Sequence, residues 1–138
     1  MGVGDEVIIP SYTYSATALS VLNSGAKLIM VDVNDDFTIN IDDLEKKITK
    51  KTKIIISVDI GGLPCDYHNL NKLIKKSKIK SLFRPSSKNQ KSLNRILLIS
   101  DAAHSIGSLY NNIPTPNFSD ISIFSFHSVK NITTGEGG

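Results

Sequence analysis

Lys130 stands five residues after Ser125 in the stretch "SFHSVKNITTGEGG", which closes on Gly135, Gly137 and Gly138 around a single acid. It follows an apolar run, so its stem is expected to lie against protein. A partly desolvated lysine loses proton affinity, and its neutral amine then attacks carbonyls. Most lysines are simply solvated, and it is the company of this one that raises the chemical reading. Ser125 offers a hydroxyl to an anion, and the glycines allow close backbone approach. Taken alone, "GEGG" fits any tight turn. Asp101 ends another apolar run, Ile96 to Ser100, and precedes Ala102 and Ala103, whose small side chains leave room for something large. Such an aspartate is either a helix N-cap or turn residue, or a carboxylate set against a cationic ligand atom. His104, three residues on, lies beside Asp101 if the turn is helical, although a lone histidine is more often a core or turn residue. Asp101, His104, His127 and Cys65 could be drawn together as a metal site, but they show none of the compact spacings of zinc ligands.

A nucleophilic lysine, a carboxylate at a different strand end and an anion-binding hydroxyl are the parts needed to hold pyridoxal 5′-phosphate. The lysine bonds its carbonyl, the acid keeps its ring nitrogen protonated and the hydroxyl meets its phosphate. An aromatic should then cover the ring. Tyr12 and Tyr14 are both candidates, with plain packing as the alternative for either.

The elements that must position these residues follow from the apolar pattern. Glu6 to Pro10, Lys27 to Val31, Lys53 to Val58, Ile96 to Ser100 and Ile121 to Phe124 are short β-rich runs. Between them, helical spacing predicts helices over Ser11 to Ser24 (Ala16, Leu19, Val21 and Leu22, with a Gly25 stop), Asp42 to Thr49 (Leu44 and Ile48) and Asp66 to Lys76 (Leu70, Leu73 and Ile74). Strands alternating with helices imply crossovers and a mainly parallel sheet, and strands this apolar imply cover on both faces. Ser77 to Arg95 is polar and basic, and reads as a structureless surface insertion of unusual length. Ligands of open α/β sheets gather at the carboxyl ends of strands. Pro10 to Tyr14, Asp101 to His104 and Ser125 to Lys130 all lie there.

Composition narrows the function classes. The 138 residues suffice for one domain, 40% are hydrophobic, and no apolar run approaches the roughly 20 residues that span a bilayer. The start lacks a basic region followed by an apolar stretch, and Cys65 has no disulfide partner, so no membrane segment and a cytoplasmic home are expected. Net charge is +3 with a pI near 9.0, but the lysines fall in two runs, Lys46 to Lys53 and Lys72 to Lys91. These read as solvated faces. Only Phe83 interrupts the second run, which argues against nucleic-acid binding.

The blocks "GVGDEVIIPSYTYSAT", "GAKLIMVDVNDDFTINID", "GLPCDY", "DAAHSIGSLY" and "FSFHSVKNITTGEGG" resemble, in order and over nearly the whole chain, those of the DegT/StrS family of sugar aminotransferases. "SFH…K…TTGEGG" with "DAAHS" upstream is the specific part. The resemblance implies a three-layer α/β sandwich, part of the large domain of a type I pyridoxal-phosphate-dependent transferase, and a homodimer with composite active sites. It makes Lys130 the Schiff-base lysine, Asp101 the partner of the pyridinium nitrogen and Ser125 a phosphate ligand. His104 is placed near the cofactor's phenolic oxygen and Tyr14 on its ring; Tyr12 and His127 receive no role. The implied partners are a nucleotide-linked keto-sugar and an amino-acid donor, usually glutamate. Some relatives carry histidine in place of the lysine and remove a hydroxyl, so Lys130 argues for amino transfer. Family members have a segment before "GVGDEV" with an "SGT"-like phosphate-binding turn, and continue past "GEGG" into a small C-terminal domain. Residues 1–138 are therefore expected to be a partial cofactor-binding large domain, with 77–95 a longer loop than many members have. Another type I pyridoxal-phosphate reaction, dehydration or elimination, is the enzymatic alternative; a catalytically silent fragment with a binding role is the other.

Overall fold

A computed structural model describes residues 1–138. In chain order the strands are β1 (Glu6–Pro10), β2 (Lys27–Val31), β3 (Thr52–Val58), β4 (Leu97–Asp101), β5 (Leu109–Tyr110), β6 (Ile113–Pro114) and β7 (Ile121–Ile123). β5 and β6 form a small antiparallel hairpin, whose Asn111 and Asn112 both take positive φ, as a two-residue hairpin turn requires. The other five strands make one sheet, ordered β2-β1-β3-β4-β7, in which every pairing is parallel.

The helices are α1 (Ser15–Asn23), α2 (Ile41–Lys47), α3 (Tyr67–Lys75), α4 (Ser77–Leu82) and α5 (Lys88–Leu93). Alternation along the strands sends Ile8, Ile55 and Leu98 to one face, where Leu44 of α2, Leu70, Leu73 and Ile74 of α3 and Ile79 of α4 complete the larger core. Val7, Ile9 and Ile56 point the other way and meet α1 at Val21. That second face is covered in part: Ile121 and Ile123 of β7 remain 48% and 54% exposed. The expectation of full cover thus holds for one face and only around α1 on the other. Within α1 the inward positions are Thr17 and Val21, four apart, while Leu19 and Leu22 are each 53% exposed.

Residues 77–95 are not structureless. α4 continues from α3 and buries Ile79, and Phe83 follows it into the same core. Lys53, itself buried, donates through Nζ to the carbonyls of Lys50 and Arg84 and lies over the Phe83 ring. Ser86 donates to the Asp5 carboxylate, and Ser87 caps α5 by accepting from the Gln90 N–H. Ile79, Leu82 and Phe83 have the i, i+3, i+4 spacing of a helix face, but over six residues that signal is too short to stand out from its lysines. No helix is long and apolar enough to cross a membrane.

Candidate active site at the carboxyl ends of the strands

The register sets Val58, Asp101 and Ile123 side by side across β3, β4 and β7. The residues that follow each strand therefore emerge together. Because β2 and β3 lie on opposite sides of β1, the chain changes direction there, which is where open parallel sheets leave a crevice. A cavity of about 640 Å³ fills it, bordered by Tyr14, Asp101, His104, Ser125 and Lys130. Its volume lies in the range of about 300–1,000 Å³ common for small-molecule sites. Ile56, Val58, Ala103, Ile123 and Val129 supply apolar wall.

Asp101 ends β4 with each carboxylate oxygen accepting from one neutral donor. Oδ2 accepts from the hydroxyl of Thr17 at 2.8 Å, and Oδ1 from the N–H of Ala103 at 3.3 Å. Thr17 in turn accepts from the Thr13 hydroxyl at 2.9 Å. The loop after β1 and the first turn of α1 thus orient an acid that belongs to β4. Nothing in the local pattern around Thr17 marks it for this. Its one signal is that a hydroxyl occupies the inward face of an otherwise apolar helix.

Lys130 is half-buried, as the preceding apolar strand led one to expect. The chain's ion pairs use Lys27, Lys47, Lys76, Arg95 and His127, and neither Lys130 nor Asp101 is a member of any. The loop that carries Lys130 is held from both sides. Its N–H donates to the His127 carbonyl, and the Asn131 amide donates to the Ile106 carbonyl in the loop after β4. Residues 133–138 fold back on the strand end: Thr133 Oγ1 and the Thr134 N–H both donate to the Phe126 carbonyl, and the Phe126 N–H donates to Gly137. A Cβ at Gly138 would stand 2.8 Å from the Phe124 carbonyl oxygen, closer than side chains are found. Glycine is needed there for contact, not for chemistry.

Ser125 accepts the His127 N–H at 3.4 Å, a weak bond that leaves its proton free. Tyr14 is 78% exposed at the mouth of the cavity. Tyr12 turns away and stacks on Phe37, ring centroids 4.7 Å apart, which separates the two tyrosines that the sequence left equivalent. His104 is exposed at the rim, with Nδ1 accepting from the Gly61 N–H. His127 and Glu136, 3.6 Å apart, also border the cavity. Cys65 does not border the cavity; it is buried in the larger core, where burial and then the charge of Asp59 push its thiol up to about 12. The turn after β3 also contributes to the cavity through Asp59 and Ile60; Asp59 directly follows the apolar run Lys53 to Val58, as Asp101 follows Ile96 to Ser100.

The set fits a flat ring bearing a cationic nitrogen, a carbonyl and an anionic arm. One acid is oriented by neutral donors, one lysine is free of ion pairs, one hydroxyl has a proton to give, and the walls between them are apolar.

Comparison with known proteins places the chain among sugar aminotransferases and related enzymes. The sequence profile of the DegT/DnrJ/EryC1/StrS aminotransferase family matches residues 1–83 and 89–138. GDP-perosamine synthase of Escherichia coli O157:H7 is 39% identical over 98% of this chain and 33% of its own length, and that of Caulobacter vibrioides is 38% identical over 100% and 33%. Among solved structures, a chain described as the sugar aminotransferase Spr1654 of Streptococcus pneumoniae, in its PLP form, superposes with a TM-score of 0.95 at 46% identity. That match covers 99% of this chain and 35% of the other. The dehydratase ColD, solved as a mutant with bound GDP-perosamine, superposes with a TM-score of 0.80 at 26% identity, over 99% and 31%. The chain spans about a third of the length of the curated relatives it matches.

Proposed function

The chain belongs to the DegT/DnrJ/EryC1/StrS aminotransferase family, and we propose that the protein moves an amino group from an amino acid, glutamate in this reading, to the ketone of a nucleotide-linked sugar, with pyridoxal 5′-phosphate as cofactor. The observation that carries this is the meeting of Lys130, Asp101, Ser125, His104 and Tyr14 around one cavity, from positions up to 116 residues apart. The names of the relatives favour GDP as the nucleotide and aminosugar or surface-polysaccharide synthesis as the setting. A cytoplasmic reaction suits the single, free Cys65.

When bound, pyridoxal phosphate supplies a carbonyl that carries the amine and a ring that withdraws electrons. In this reading Lys130 anchors that carbonyl. Released, its amine takes a proton from the substrate carbon and later returns one, as base and then acid. Asp101, oriented by Thr17 and the Ala103 N–H, holds a proton on the ring nitrogen. Ser125 donates to the phosphate, Tyr14 covers the ring and His104 stands at its phenolic oxygen. Residues 1–138 act as part of the large domain. The remaining phosphate donors come from a segment outside them, and a second subunit completes a composite site over the open side of Tyr14.

Dehydration is the second reading, favoured by the likeness to ColD. Lys130 argues for transfer, since a lysine amine can both anchor the cofactor and shuttle the proton. The test is to add pyridoxal phosphate to the purified protein, reduce with borohydride and locate the label by mass spectrometry. Label on Lys130, lost in Lys130→Ala, is the expected outcome. Label confined to other lysines, or amination of a keto-sugar by Lys130→Ala at the wild-type rate, overturns the reading.

A further inference from the structure

Asp59 is a buried carboxylate for which the reaction above has no use. It follows β3 with 1% of its surface exposed, and no cation pairs with it. Its oxygens accept from four donors instead: the Cys65 N–H at 3.1 Å and Tyr67 hydroxyl at 2.8 Å on Oδ1, and the Ser105 hydroxyl at 2.8 Å and Ser100 hydroxyl at 3.3 Å on Oδ2. A carboxylate that only accepts is satisfied by such a shell, whereas burying it bare would be prohibitive. Its charge is felt nearby. The Tyr67 hydroxyl is raised above its ordinary value by burial first and by Asp59 next.

The donors come from two stretches of chain, each built on a loop. Cys65 and Tyr67, the first residue of α3, follow the turn Ile60–Gly62 after β3, while Ser100 near the end of β4 and Ser105 in the loop beyond it bracket Asp101 to His104. Further bonds draw the same two loops together. The Asp59 N–H donates to the Asp101 carbonyl at 3.1 Å, and the Ser108 hydroxyl to the Gly62 carbonyl at 2.8 Å. The turn is pressed closely on His104: at Gly62, with φ +85°, a Cβ would lie 3.1 Å from the His104 carbonyl oxygen. One residue earlier, the Gly61 N–H donates to His104 Nδ1 at 3.3 Å. A ring nitrogen that accepts a hydrogen bond carries no proton, so the neutral imidazole must hold its proton on Nε2.

We propose that Asp59 is a positioning residue for His104: by tying the turn after β3 to the loop after β4, it holds the imidazole against the Gly61 N–H and fixes it as the Nε2–H tautomer. The consequence for the reaction rests on the reading that His104 stands beside the cofactor, where Nε2–H is then a donor of set direction to an anionic oxygen. With the tautomer free to exchange, the same ring would offer a lone pair for part of the time, and would repel that oxygen.

The experiment is long-range proton–nitrogen NMR on the full chain with labelled histidine, above pH 8, where an ordinary imidazole is neutral. The chain has three histidines, and the signal lost in His104→Gln identifies the one in question. Expected is a fixed Nε2–H pattern for His104, replaced in Asp59→Asn by averaged nitrogen shifts, with His68 and His127 unmoved. Ser105→Ala removes one donor from the network and changes the fold least. It is expected to loosen the same signal, and it carries the test if Asp59→Asn fails to fold. A wild-type His104 that averages its tautomers or protonates Nδ1 overturns the proposal, as does an unchanged His104 pattern in a folded Ser105→Ala or Asp59→Asn. None of these readouts needs cofactor. Failure to trap pyridoxal phosphate on Lys130 would sink the functional reading and leave the placement of His104 standing; the reverse result would do the opposite.

Discussion

Thr17 donates to Asp101 across 84 positions of sequence, and the pair defines what a single residue contributes at this site. A carboxylate that faces a ligand nitrogen must be kept from rotating away, and neutral donors on its two oxygens, Thr17 on Oδ2 and the Ala103 N–H on Oδ1, do this. Hydrogen bonds to charged groups contribute roughly 1.5–3 kcal/mol. Thr17→Val keeps the shape of the side chain and removes the proton. Cofactor affinity, measured by spectroscopic titration, is expected to fall roughly 10- to 100-fold, with the melting transition still cooperative. Unchanged affinity would mean that the Ala103 N–H alone suffices. Asp101 and Lys130 were legible as candidates because one closes an apolar run before two alanines and the other follows an apolar run in the company of Ser125 and three glycines. Asp59 carries the same placement after β3; Thr17 carries no such signal, because what distinguishes it is a partner in another element.

Among the elements, β7 has the weakest claim to independent stability, being three residues long and exposed at Ile121 and Ile123. Yet it delivers Ser125 and Lys130. A clamp at its start compensates: Arg95 grips both oxygens of Asp120, the Leu98 N–H donates to Asp120 Oδ2 at 2.9 Å, and the Asp120 N–H donates to the Leu98 carbonyl. The hydrogen bonds from Arg95 hold the Asp120 carboxyl below its ordinary value, and the same contact raises the Arg95 guanidinium. A carboxyl depressed in the folded state adds stability that is fully present above its unfolded value, about 3.9, and is lost as pH falls through the folded one. Asp120→Asn is therefore expected to cost about 1–3 kcal/mol at pH 7 in urea unfolding. The gap should close below pH 4; a constant difference from pH 7 to pH 2 would contradict the clamp. Strands such as β1 and β3 were plain in the sequence, since the β-branched runs Val7-Ile8-Ile9 and Ile54-Ile55-Ile56 have few other fates. α4 and α5 were not, for six-residue helices are stabilised by docking and caps that no periodicity announces.

At the scale of the whole molecule, the sheet is finished on one side and open on the other. Ile121 and Ile123 leave apolar surface at the free edge of β7, and Met30 does the same on β2 at the opposite edge; such surface drives association. The 138-residue chain is expected to self-associate with rising concentration in light scattering, and Ile121→Lys with Ile123→Lys to suppress this while the far-ultraviolet circular dichroism is retained. Association undiminished in the double variant would place the contact elsewhere. By itself the sequence determined the alternation of strands and helices, the apolar runs that had to be buried and the residue types able to hold an aldehyde, a ring nitrogen and an anion. These properties are local: a period of two or 3.6, or a charged side chain after a hydrophobic run, is complete within one short window. The tertiary structure decided the order β2-β1-β3-β4-β7, the covered face, and which loops meet. Thr17 on Asp101, Asp59 beneath His104 and Phe83 against Lys53 follow from that order, because neighbours across a sheet are chosen by packing between segments far apart in the chain.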